Sequence, residues 1–202
     1  MKETRAFEFD VAAEENEEHG HFLEGRPIVY DSRTNLGDFD EVIDLGALNE
    51  TDLRDVRFLV NHDTAKIPLA RSRRNNENST MQLAPDDHGM KIRVDLDTEH
   101  NVDAAALYSS VTRGDISGMS FAFTVDDESW EDLESEHPVR HIRKIGRVFE
   151  VSAVTWPAYE QTELEARSKA LESARADLER SKSEARTAQL WDEIKKLGGA
   201  HD

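Results

Sequence analysis

The chain has no cysteine and, in 202 residues, only 5 prolines, 10 glycines and 3 tryptophans. Without thiols there is no disulfide, no thiolate metal site and no cysteine nucleophile. No apolar run approaches the roughly 18 residues that cross a bilayer. The opening MKETRAFEFD also lacks the apolar stretch of a secretory leader. These absences predict a soluble, intracellular protein. Positive charge is scarce as well: 25 basic residues stand against 43 acidic ones, for a net charge of −18. Such a surface repels phosphate backbones and argues against nucleic acid as a partner. Only 8 of the basic residues are lysines. Many acids with few lysines suit a protein kept soluble in brine, where salt screens self-repulsion, so a halophilic source is one expectation and an ordinary acidic protein the other.

Up to about residue 160 the chain reads mostly as strand. RAFEF, HGHFLEGRPIVY, VRFLVNHD (56–63), TMQLAP (80–85), ISGMSFAFTV (116–125), VRHIRKIG (139–146) and RVFEVSAVTW (147–156) carry the aromatic and β-branched residues of strands. In HGMKIRVDLD (88–97), Met90, Ile92, Val94 and Leu96 alternate with charged residues, the pattern of a half-buried strand. Two short helices are predicted, over 45–55 and over 98–114, the second with Thr98 as N-cap and Gly114 as its stop. Many strands and few helices predict a mainly β fold, a closed or nearly closed β-barrel with peripheral helices. After Pro157 the texture changes. Residues 160–197 hold no glycine or proline, and Leu164, Leu171, Leu178 and Ala185 recur at heptad spacing, with Ala174 and Ala188 as companions. This predicts a domain over 1–160 and a charged helical tail over 161–202, with a thin apolar seam interrupted by Arg167 and Ser181.

The stretch GDISGMSFAF (114–123) places a serine inside a run of large apolar residues. On a strand, Met119, Phe121, Phe123 and Val125 share one face, while Gly118, Ser120, Ala122 and Thr124 share the other. A face stripped of bulk lets another backbone approach, as a nucleophile on a strand requires. The Gly-x-Ser-x-Ala pattern is not a hydrolase elbow, since no strand–turn–helix surrounds it. A serine hydroxyl needs a base, itself oriented by a third group. His62, in RFLVNHD, alternates onto the face of Phe58 and Val60 and is the candidate base. Glu150, in VFEVSAV, lies in a segment built for burial, where a carboxylate needs a partner. It is the candidate orienter; an ion pair with Arg140, Arg143 or Arg147 is the structural alternative, and His141 and Asp63 are alternative orienters. His19 and His21 form a His-x-His pair without a third ligand at close spacing, so neither a metal nor a cofactor is expected.

The order of EVIDLGAL (41–48), VRFLVNHDTAKIPLA (56–70), DDHGMKIRVDL (86–96), VTRGDISGMSFAF (111–123) and FEVSAVTWPAYEQTEL (149–164) resembles the prohead proteases of tailed phages, over roughly residues 20 to 164. The resemblance implies a barrel like that of the herpesvirus assemblins, ringed by helices. It implies a serine endopeptidase with Ser120 as nucleophile and His62 as base. Glu150 falls at the third position, where related enzymes use a second histidine, which keeps His141 open. The family often has glycine where Ala70 stands. The inserts RSRRNNENSTM (71–81) and DDESWEDLESEH (126–137) read as surface loops of this chain's own. Implied substrates are the scaffolding segment of the major capsid protein and the enzyme itself, cut within the prohead in the host cytoplasm. Self-association is an accompanying expectation. The rival reading is a non-catalytic capsid assembly chaperone or scaffold on the same fold.

Overall fold

The computed structural model describes residues 2–8, 11–16, 20–155 and 161–198. In chain order its elements are β1 (Lys2–Glu8), β2 (Ala12–Asn16), β3 (Gly20–Val29), β4 (Thr34–Asn35), β5 (Asp40–Ile43), β6 (Arg57–Val60), β7 (Ala70–Arg71), β8 (Met81–Asp86), β9 (Gly89–Asp95), α1 (Val102–Thr112), β10 (Gly118–Glu131), β11 (Val139–Val154) and α2 (Gln161–Gly198). The chain is mainly β, as expected. The expected closed barrel is not formed among the described residues: the strands hydrogen-bond into one seven-stranded and one four-stranded sheet. The edge strands β1, β4 and β7 of the first sheet are not paired with the edge strands β2 and β8 of the second, and each sheet has an irregularity of its own. β11 is longer than its neighbours, so β5 pairs with its beginning and β6 with its end, and the sheet branches. In β3 the ladder to β9 skips from Gly25 to Ile28, across Pro27, which has no N–H to donate.

The sheets share one core. Met119, Phe121 and Phe123 of β10, Val151 and Ala153 of β11 and Phe58 of β6 pack with Leu23 and Ile28 of β3, Met90, Ile92 and Val94 of β9, and Leu107 and Val111 of α1. The alternation read from residues 88–97 is what buries those β9 side chains. Gly89, at φ +135°, lets the start of β9 lie close against the end of β3: a Cβ there would stand 1.9 Å from the Ile28 carbonyl oxygen.

Three local expectations are corrected. The helix expected over 45–55 is a string of turns, closed by bonds from Ala47 N to Asp44 O and from Asn49 N to Gly46 O. Positive φ at Gly46 and Asp55 is incompatible with a helix there. α1 begins later than predicted, because the side chain of Asn101, not Thr98, accepts from the N–H groups of Asp103 and Ala104. The first part of the supposed 126–137 loop continues β10 as far as Glu131.

α2 docks through its first half. Leu171 is buried against Leu36 and Phe39, with Trp130 and Leu133 packed around them. The Arg175 side chain donates to the carbonyls of Leu133 and Ser135, and Lys182 pairs with Glu134. Side chains from Ser181 through Glu193 are exposed. The heptad seam is therefore used at Leu171 and partly at Leu178, but not at Ala185 or Ala188. The Leu164 side chain lies outside the described residues.

Candidate active site

β10 runs between β1 and β11, and Ser120 stands opposite Ala6 on one side and Ser152 on the other. Its neighbour on that face, Ala122, is opposite Glu150. Opposed residues on adjacent strands project to the same side, so the small side chain at 122 leaves room for the Glu150 carboxylate. Ser120 is fully buried, and its hydroxyl donates to the Arg5 carbonyl oxygen at 2.7 Å.

His62 reaches this face by a route that strand alternation does not predict. Arg57 of β6 is in register with Glu150 and Phe58 with Val151, so the face of Phe58 is the core face, opposite Glu150. The expected alignment of His62 with Phe58 and Val60 would have pointed it into the core. Instead β6 ends at Val60, and Asn61 and His62 adopt left-handed conformations, φ 49° and 57°. Two such residues in a row are sparsely populated unless the surroundings hold them. Here Asn61 N donates to Ala153 O (2.9 Å), Thr155 donates both N–H and O–H to Asn61 Oδ1 (3.0 Å each), and His62 N donates to Ser152 Oγ (3.2 Å). The turn is bolted to the end of β11 and carries the imidazole to Glu150.

Glu150 Oε1 lies 2.5 Å from His62 Nδ1, and Glu150 Oε2 accepts the Ser152 hydroxyl at 2.7 Å. Glu150 is 3% exposed, while the His62 side chain remains 22% exposed. A buried carboxylate with both oxygens engaged is a fixed acceptor. It holds the imidazole by Nδ1, which leaves Nε2 as the nitrogen able to exchange a proton with a substrate or nucleophile.

The other sequence candidates go elsewhere. His141 bonds through Nδ1 to Asp44 (2.8 Å) and faces Glu131 at 3.5 Å. The Asp63 carboxylate accepts from the Ala65 N–H in an exposed turn. Of the arginines offered as ion-pair partners of Glu150, Arg140 is instead buried with Glu3, Glu41 and Glu128, and Arg147 faces Asp52; Arg5 joins the Arg140 cluster through Glu3 and Glu41. His21 bonds to Thr98 Oγ1 at 2.7 Å and meets the Tyr108 ring edge-on; its partner in the His-x-His pair, His19, lies outside the described residues. No group of three or more potential metal ligands occurs among the described residues. Sequence reasoning missed Ser152 and the Asn61–Thr155 clamp. The i, i+2 spacing of Glu150 and Ser152 was a usable signal for the first. The clamp depends on positive φ at Asn61, for which no pattern of residue types speaks.

A serine on a central strand, facing the strand that carries a buried carboxylate clasped to a histidine, has the make-up of a serine peptidase. The chain belongs to the Caudovirus prohead serine protease family, whose model matches residues 7–177. That match takes in Ser120, His62 and Glu150 and extends into α2 beyond Leu171 and Arg175. Neither a curated protein nor a solved structure matches the chain. The protein is a serine protease of the kind that matures capsids, and among its described residues no helix is long and apolar enough to cross a membrane.

Proposed function

We propose that Ser120 is the nucleophile, His62 the general base and Glu150 the orienting carboxylate. The single observation that carries this is the 2.5 Å contact between His62 Nδ1 and the buried Glu150 Oε1, on the strand that faces Ser120. In the resting arrangement the Ser120 hydroxyl is parked on Arg5 O. Attack requires rotation about its Cα–Cβ bond, away from that carbonyl and toward Nε2 of His62. The hydroxyl oxygen then bonds to the scissile carbonyl carbon as its proton passes to Nε2. Glu150 stabilises the imidazolium, and the same proton goes to the leaving amine as the peptide C–N bond breaks. Water, deprotonated in turn by His62, hydrolyses the ester and regenerates the hydroxyl.

The substrates in this reading are the scaffolding segment of the major capsid protein and the enzyme itself, cut inside the assembling prohead. A residue set of hydroxyl, imidazole and clasped carboxylate favours it over a non-catalytic chaperone, which would need none of the three. Co-expression with the capsid protein of the same virus tests it by intact mass. Processing is expected with the wild type and absent with Ser120→Ala; equal processing by both would remove Ser120 from the mechanism.

A further inference from the structure

We infer that Ser152 is a positioning residue for the catalytic pair, an inference that rests on the reading of His62 and Glu150 given above. Ser152 is fully buried. Its single hydroxyl does two jobs at once. It donates to Glu150 Oε2 at 2.7 Å, and it accepts from the backbone N–H of His62 at 3.2 Å. One oxygen atom thereby ties the carboxylate to the main chain of the residue that the carboxylate orients. The second carboxylate oxygen would otherwise be a buried acceptor without its donor, and the carboxylate would be free to rotate away from Nδ1. The His62 N–H would likewise lose its partner in a left-handed turn that needs every restraint it has. A hydroxyl is the smallest group that can both donate and accept in this way. Alanine fits the same space and can do neither.

The location adds to the argument. Residues 150–153 of β11 pair with β6 on one side and β10 on the other, and among them Ser152 is the one in register with Ser120, with Leu59 of β6 across from it. A buried serine at this place has the chemistry of an attacking residue itself. Here its proton is given to Glu150 and its oxygen already accepts the His62 N–H, so both of its bonding capacities are used inside the pair, which assigns it to the support of the pair.

The test uses the full chain with a fluorophosphonate probe, which reports serine nucleophilicity without needing the natural substrate, together with cleavage of the co-expressed capsid protein. Ser152→Ala should slow probe labelling and cleavage by about 10–100-fold, while thermal unfolding stays cooperative. Ser152→Thr, which keeps the hydroxyl, should recover most of the rate. Ser152→Cys, near-isosteric with a weak donor, serves if the alanine variant fails to fold, and should also be slow. Proton NMR supplies a readout that simple loss of packing would not move. The low-field resonance of the His62 ring N–H should shift in Ser152→Ala and return in Ser152→Thr. Peptide mapping should find the label on Ser120 in every active variant. Wild-type labelling rates in folded Ser152→Ala or Ser152→Cys would overturn the inference while leaving the catalytic pair intact. Full activity of Glu150→Gln would instead overturn the reading of the pair itself.

Discussion

Glu150 is the residue on which the geometry converges, because both of its oxygens are used and almost none of it meets water. Glu150→Gln keeps the shape but presents an amide where an acceptor is needed, so the imidazole loses its fixed tautomer. By analogy with the same change in triad hydrolases, turnover should fall by roughly 10⁴-fold with KM little changed. Steady-state cleavage of a capsid-derived peptide checks this; a loss below tenfold would exclude Glu150 as the orienter. Gly89 is constrained for a different reason, the close approach of the Ile28 carbonyl. Gly89→Ala should destabilise the fold by about 2–3 kcal/mol, read as a lower midpoint in urea with activity per folded molecule retained. At this scale the sequence was informative wherever a strand kept its period. The alternation around Ser120 set its face correctly; around Glu150 it held toward Ser152 but not toward Val148, which a bulge turns to the core with Phe123. It misplaced His62, because the period stops at Val60 and two left-handed residues turn the chain to the other side. Residue types do not announce that change.

Among the elements, β1 is held by charge. Glu3 and Arg5 enter a buried cluster with Glu41 and Arg140, and Glu128 closes it at the edge. Burial alone would raise the Glu3 carboxyl. The hydrogen bond from Arg140 and the charges of Arg5 and Arg140 outweigh burial and bring it down from 4.5 to about 2. A carboxyl lowered by folding contributes stability that is complete above about pH 4.5 and is lost as pH falls toward 2, here roughly 3 kcal/mol. The wild type should therefore lose stability steeply across that window, and Glu3→Gln should show a shallower slope there from a lower starting point. Chemical denaturation at a series of pH values decides it; parallel curves would mean the cluster adds nothing in that range. α2 gives a second prediction. Because its contacts with the body stop near Lys182 among the described residues, truncation after Glu184 should leave the melting temperature within about a degree. Leu171→Asp should lower it and make Trp130 more accessible to quenchers. The heptad spacing in this helix was visible in the sequence. Which half would dock was not, since that depends on where Phe39, Trp130 and Leu133 come together in the fold.

For the molecule as a whole, the dominant quantity is the net charge of −18. Screening shortens from about 10 Å at 0.1 M salt to about 3 Å at 1 M, so repulsion among surface carboxylates should fade over that range. The melting temperature should rise by several degrees between 0.1 and 1 M sodium chloride, by calorimetry, while sucrose at matched osmolality gives a smaller rise. A flat salt response would show that the acids are already neutralised by local pairing. The mainly β character was legible from the many short apolar runs. The absence of a closed barrel was not, because closure is decided by whether the edge strands β1, β4 and β7 pair with the edge strands β2 and β8. That is a property of partners from different parts of the chain.

The acceptor for the Ser120 proton at rest is a main-chain atom, the carbonyl of Arg5. Scanning mutagenesis is blind to it: every amino acid placed at position 5 brings the same carbonyl, and any effect seen would report the ionic cluster instead. Only a change in the backbone itself can address the contact. An ester in place of the amide between Arg5 and Ala6, introduced by semisynthesis, weakens that carbonyl as an acceptor without altering a single side chain. Such a chain would test the resting position of the nucleophile with every side chain of the first strand in place, the Ala6 N–H being the one other group removed.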